Sequence, residues 1–190
     1  MKSLARILST SILALLILVS VAGATQIILQ SLDQMGDNAT AVVRGKVAAV
    51  RSFWNDTHTK IFTETTIAVD ETFKGQPGEA VRVVQLGGTV DNIRVTAHGA
   101  LMWKQGEEIL LFLEDYTPGL YQVAGFSQGK FQIERDSRTG EVYVMRPTLS
   151  GAEIIGGSGE KSSAGEFQKM PLEKFMEEAL GEGTSIRKNQ

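Results

Sequence analysis

From Thr59 to Lys74 the chain alternates: Ile61, Thr63, Thr65, Ile67, Val69 and Phe73 share one parity, while Lys60, Glu64, Thr66, Asp70, Thr72 and Lys74 share the other. A period of two sends successive side chains to opposite faces, so this segment predicts a long, half-buried, coiled strand, with Phe62 the one bulky apolar residue on its wet face. The run Ala41 to Val50 is rich in β-branched residues and carries Gly45 at its middle, which predicts a strand with a bulge or sharp bend there. Between the two runs, Phe53-Trp54-Asn55-Asp56-Thr57-His58 reads as a turn-rich hairpin tip holding two exposed aromatics.

Further strands follow at close spacing. Lys74-Gly75-Gln76-Pro77-Gly78 forces a tight turn into Ala80 to Leu86, which ends on Gly87-Gly88, itself read as a tight β-turn. Ile93 and Val95 mark a short strand. Ile109 to Leu113 is apolar without interruption, as a central strand covered on both sides must be. Leu120 to Ala124, Lys130 to Glu134 and Glu141 to Arg146 complete the set, the last two joined through Asp136-Ser137-Arg138-Thr139-Gly140.

Helical spacing occurs only at the margins. Ile27, Ile28, Leu29, Leu32 and Met35 predict a short helix that Gly36-Asp37-Asn38 stops. Near the other end, Pro171 opens a helix with Leu172, Phe175, Met176, Ala179 and Leu180 on one face, and Gly181 ends it. That helix either caps the domain's own open end, the preferred reading, or docks on another protein. Many short strands, few helices and no alternation of strand with helix give an all-β sandwich or barrel with flanking helices.

The first residues have a different grammar. Lys2 and Arg6 precede an apolar run with its uninterrupted centre at Ile12 to Val19, and Val21-Ala22-Gly23-Ala24 supplies a small-residue exit. This is the layout of a secretory signal cleaved after Ala24, giving a mature chain that starts at Thr25-Gln26 and works in the periplasm or outside the cell. The alternative is an uncleaved anchor, since a bilayer span takes roughly 18–20 apolar residues, but Ser9, Thr10, Ser11 and Ser20 dilute the run. The organisation expected is therefore a signal over 1–24, a single β-barrel domain over 25–150, a Gly/Ser-rich linker over 151–170, and a C-terminal helix and tail over 171–190.

Composition narrows the chemistry. The chain has 190 residues and no cysteine, so lipoprotein processing, disulfides, thiolate metal sites and a cysteine nucleophile are all excluded. About 165 residues left after cleavage can still bury an ordinary single core. The formal net charge is −3; losing Lys2 and Arg6 leaves 17 cations against 22 acids, or −5. That balance argues against nucleic acid and anionic membranes as partners. His58 and His98 are too far apart to spell a metal motif, and no cofactor or metal is expected.

Three ordered stretches resemble the netrin-like domain, best known from the N-terminal domains of tissue inhibitors of metalloproteinases. They are Ala41-Val42-Val43-Arg44-Gly45-Lys46-Val47, like that family's opening A-x-V-x-x-G-x-V strand; Val69-Asp70-Glu71-Thr72-Phe73-Lys74-Gly75, like the end of its long second strand; and Gly106-Glu107-Glu108-Ile109-Leu110-Leu111-Phe112, like its G-x-x-Y-L strand. The resemblance covers Ala41 to Leu113 and implies an all-β, OB-type or similar small β-barrel with short flanking helices. The inhibitors place an N-terminal Cys-x-Cys on the protease zinc. This chain has Thr25-Gln26-Ile27 there, so the inhibitory device does not carry over, although the α-amino group freed at Thr25 could ligate a metal. His98-Gly99 lies near where the family often has Cys-Gly.

Catalysis is weakly signalled. His98 has no G-x-S-x-G beside it and reads as structural; a cell-envelope hydrolase pairing His98 with Asp91 is the enzymatic alternative. Glu107-Glu108 and Glu177-Glu178 put neighbours on different faces and read as solvated surface. Asn38-Ala39-Thr40 and Asn55-Asp56-Thr57 are formal glycosylation sequons. Trp54, with Phe53 beside it, reads equally as a partner-binding aromatic or as partly buried against the barrel end, and Trp103, after Met102, as buried. The expectation is thus a non-enzymatic, exported domain that binds another exported protein, with Thr25, Phe53, Trp54 and His58 as candidate contacts. Protease-directed inhibition is its narrowest form, and a structural role in the envelope or matrix, held by the linker and the Pro171 helix, is the remaining alternative.

Overall fold

A computed structural model describes residues 30–97, 99–146 and 169–181, with the backbone of 187–188. The expected signal, Thr25, Ile27 to Leu29, His98 and nearly all of the expected linker lie outside the described residues. The order is α1 (Leu32–Asn38), β1 (Ala41–Trp54), β2 (Ile61–Lys74), β3 (Ala80–Leu86), β4 (Gly88–Val90), β5 (Ile93–Val95), β6 (Glu108–Thr117), β7 (Leu120–Val123), β8 (Lys130–Arg135), β9 (Val142–Met145), β10 (Lys169–Pro171), α2 (Leu172–Leu180) and β11 (Arg187–Lys188).

These strands make the all-β, small barrel-like fold expected. β1, β2, β3, β7 and β6 follow one another around a ring that β1 and β6 close in antiparallel fashion. Closure is partial, because β3 and β7 pair, in parallel, only at Val83 opposite Tyr121. From β6 the sheet continues through β8 and β9 to β10. β2 shows the alternation its sequence predicts, with Ile61, Thr63, Thr65, Ile67, Val69 and Phe73 all buried.

β6 divides two cores. Ile109, Leu111 and Leu113 point into the barrel against Val43, Val47, Ile67, Val81 and Val83. Leu110 and Phe112 point the other way, where Phe131, Phe175, Met35 and Met176 cover them. Full burial of each such side chain contributes about 1.5–3 kcal/mol, so a strand buried on both faces is a major source of stability. The Pro171 helix packs on its own domain, though on the face of β6 outside the barrel rather than over an open end: Phe175 on α2 lies edge-on against Phe112 and Phe131, at 6.1 and 4.9 Å between ring centroids. Lys169 and Met170, at the end of the expected linker, belong to β10 and pair with Met145 and Val144 of β9.

Two glycines fix close approaches. A Cβ at Gly45 would stand 2.1 Å from the Ala68 carbonyl oxygen, and the β1–β2 register shifts between Arg44 and Gly45, which is the predicted bulge. A Cβ at Gly36 would stand 1.7 Å from the Ala179 carbonyl oxygen. The expectation that Gly36-Asp37-Asn38 stops the first helix is therefore corrected. α1 runs through them to Asn38, and the bare Gly36 lets α2 cross it at backbone contact.

Buried charge is the feature alternation conceals. Glu71 occupies the inward parity of β2, 3% exposed, and meets Arg44 at 3.2 Å. Arg44 also lies 3.7 Å from Glu108, which Arg135 approaches at 3.5 Å. Glu107 pairs with Lys130 at 2.9 Å. The expectation of solvated surface for Glu107-Glu108 is thus overturned: they do face different ways, but each is partly buried against a cation.

Candidate functional site

β1 and β2 extend beyond the barrel as a hairpin whose turn, residues 55–60, is organised by one side chain. Asn55 Oδ1 accepts the backbone N–H groups of Thr59 and Lys60, both at 2.8 Å, and its Nδ2 donates to Thr57 Oγ1 at 2.8 Å and Thr59 Oγ1 at 3.1 Å. The Asn55 N–H bonds the Lys60 carbonyl at 2.9 Å, closing the hairpin. His58 takes a left-handed conformation, φ 53°, and its ring lies 6.2 Å from that of Trp54 at 23°. Because both Nδ2 donations of the Asn55 carboxamide are used within the turn, a glycan on that nitrogen would displace at least one of them.

The aromatics are placed differently from the sequence expectation. Phe53 and Trp54 are the last residues of β1 rather than part of the turn, and both are half-buried rather than exposed. The cause is cross-strand pairing: Phe53 opposes Phe62 with ring centroids 6.3 Å apart, and Trp54 opposes buried Ile61. Phe53, Trp54 and exposed His58 therefore do share one end of the molecule. Thr25, the fourth candidate, lies outside the described residues.

Alternation divides this end into two faces. On the outer face Phe53, Phe62 and Leu86 form one row across β1, β2 and β3. The next row carries Arg51 opposite Glu64 at 3.3 Å, and Arg82 reaches the same carboxylate at 3.8 Å. The Arg51 guanidinium also stands 5.2 Å from the centre of the Phe53 ring. Arg82 donates to the Gly119 carbonyl at 3.3 Å, tying this face to the β6–β7 turn. Sequence reading singled out Phe53 and noted Phe62 but missed Leu86, Arg51 and Arg82. The one signal for the row was the bulky Phe62 on a wet face.

The inner face is covered by the chain itself. Ser52 Oγ and Thr63 Oγ1 lie 2.9 Å apart, and Thr63 donates to the Gly87 carbonyl at 2.8 Å. A Cβ on Gly88 would stand 2.5 Å from both hydroxyls. Gly87-Gly88 is therefore not the expected tight turn but the point where β3 passes into β4, which crosses over β1 and needs glycine to do so. Gln85 then holds the segment before β6: it exchanges hydrogen bonds with the backbone of Leu101 at 2.8 and 3.2 Å and accepts one from Trp103 Nε1 at 3.2 Å. Lys130, only 5% exposed, donates to the Met102 carbonyl at 2.7 Å and lies 4.7 Å from the Trp103 ring centre. Trp103 is partly buried against the barrel core, close to its expected burial.

The chemistry elsewhere is scattered. Asp91 is exposed at the β4–β5 turn, φ 52°, and its suggested partner His98 lies outside the described residues. Among the described residues no three His, Asp or Glu side chains gather to hold a metal, and no helix is long and apolar enough to cross a membrane. Side chains displaced from their ordinary pKa lie away from the hairpin end. Asp33 is lowered by the Ser31 hydroxyl, Asp136 by backbone N–H groups, and Arg146 by burial, while Tyr143 is raised by its bond to Glu141. No family model matches this chain, and a search of curated proteins finds no match either.

Proposed function

We propose that this protein is an exported, non-enzymatic binding domain that docks another exported protein through the end of the β1–β2 hairpin. One observation carries the reading: a turn locked by Asn55 holds Phe53, Trp54 and Phe62 half open to solvent at the end of a domain whose other phenylalanine cluster is fully buried. Rigid, partly exposed aromatics are the side chains from which interface hot spots are most often built. The partly closed ring of five strands is an all-β, small barrel-like fold of the general kind that the resemblance implies, and the inhibitory N-terminus of that family is not part of the proposal.

The test starts from the protein immobilised and exposed to the exported proteins of its own organism. The retained protein is then purified and its affinity measured by calorimetry. Phe53→Ala with Trp54→Ala should weaken that affinity by tenfold or more, about 1.4 kcal/mol, whereas Lys174→Ala on α2 should leave it unchanged. Equal affinities for the double variant and the unaltered protein would remove the hairpin end from the interface.

A further inference from the structure

We infer that the outer face of the hairpin end is the contact surface proper, and that what it recognises is an acidic protein segment bearing apolar side chains. This rests on the binding reading above and adds the chemistry of the partner.

The argument begins with the row Phe53, Phe62 and Leu86. Register places the three side by side on the solvent face of three hydrogen-bonded strands, and Leu86 is 43% exposed. The row is flanked by cations. Arg51 and Arg82 keep 69% and 53% of their side chains exposed on one side, and Lys60 lies at the edge of the turn on the other. Of the nearby carboxylates, Glu64 is only 15% exposed and held between both arginines, Asp56 sits further out in the turn, and Asp91 follows β4, which covers the inner face. The charge this face presents to an approaching molecule is therefore positive, on a chain whose net charge is −3. Opposite potentials steer encounter and fix orientation, so the complement is acidic.

The apolar row decides what kind of acid. Arg51 already lies 5.2 Å from the centre of the Phe53 ring and Phe62 is 6.3 Å from it, so a base or sugar would have to compete with the chain's own groups for that ring. The exposed Leu86 side chain in the same row adds aliphatic area, which suits aliphatic or aromatic side chains of a protein segment. Each guanidinium keeps donors beyond those turned to Glu64, and a carboxylate can take two of them in parallel.

The experiment titrates three synthetic hexapeptides, alternating Glu-Leu, Lys-Leu and Glu-Ser, into the isotope-labelled protein, with single-stranded oligothymidylate as a fourth probe. The Glu-Leu peptide should bind best, shift the amide signals of Arg51, Phe53, Phe62 and Leu86, and weaken at least tenfold as salt rises from about 0.05 to about 0.5 M. Arg51→Glu with Arg82→Glu should reverse the preference towards Lys-Leu. Lys60→Glu, on an exposed residue, should weaken Glu-Leu binding and serves as the test if the double variant fails to fold. The inference fails if Lys-Leu or Glu-Ser binds as well as Glu-Leu, if the oligonucleotide is the better ligand, if the shifts fall elsewhere, or if no peptide binds. Any of these outcomes leaves the wider binding reading standing, since that falls only with the Phe53 and Trp54 test on the natural partner.

Discussion

Phe175 and Phe53 illustrate two uses of the same side chain. At the α2 end, Phe175 meets Phe112 and Phe131 edge-on, both at 67°, and is fully buried because a helix brings it to a strand that is apolar on both faces. At the hairpin end, Phe53 stacks on Phe62 at 28° and stays half-buried, with an arginine where Phe175 has a second ring. The first arrangement completes the fold. The second leaves apolar area in contact with water on a scaffold that gives it a fixed position. A segment docked on Phe53, Phe62 and Leu86 would do for that row what α2 does for β6 and β8.

The comparison is broken most directly by alanine. Phe175→Ala should destabilise the protein by about 3–5 kcal/mol, the usual cost of emptying a phenylalanine site in a core. Phe53→Ala should cost only about 0.5–1.5 kcal/mol, the scale of one aromatic pair. Denaturant titrations of the two variants give both numbers; similar losses would mean that the hairpin end is core rather than surface. A smaller effect sharpens the same contrast. Gly36→Ala must push α2 away from α1, since the new methyl would fall on the Ala179 carbonyl, at a cost of about 1–3 kcal/mol. Hydrogen exchange should then quicken along residues 172–180 and stay unchanged at residues 53–62.

Much of this architecture was legible because period-two patterning is local. The parity of β2, the glycine bend in β1, the two-sided apolarity of β6 and the apolar face of α2 can each be read from one segment. What could not be read depends on two segments at once. Glu71 sits on the buried parity of β2 and looks misplaced until Arg44 is known to lie opposite. The close approach at Gly36 depends on α2, far away in sequence. The candidate site divides in the same way. Phe53, Trp54 and His58 are marked by composition within a turn-like stretch, whereas Leu86 and Arg82 join them only through the register of β3 on β2, and a shift of one residue would send both to the other face.

Two turns offer the finest test, because the chain uses one device twice with different chemistry. Asn55 Oδ1 accepts two backbone N–H groups at the β1–β2 end, and Asp136 Oδ1 accepts those of Arg138 at 2.7 Å and Thr139 at 3.0 Å in the β8–β9 connection. The N–H groups of Thr139 and Arg138 favour the carboxylate and hold the Asp136 carboxyl below its ordinary range. A carboxyl whose pKa is lowered on folding adds stability that is complete above the unfolded pKa, near 3.8, and is lost as pH falls through the lower folded value. Acid should therefore loosen the β8–β9 turn, with the amide signals of Arg138 and Thr139 moving together below about pH 4. In an Asp56→Asn background, which removes the carboxyl within that turn, the β1–β2 turn should not follow, because a carboxamide has no proton to gain in that range. Asp136→Asn should abolish the acid response while changing stability at neutral pH only slightly, since the group lies in a surface turn and the carboxamide oxygen can still accept the same N–H groups. If Thr59 and Lys60 titrated with the same midpoint, the two ends of the molecule would be coupled, and the hairpin end could not be treated as a separately fixed surface.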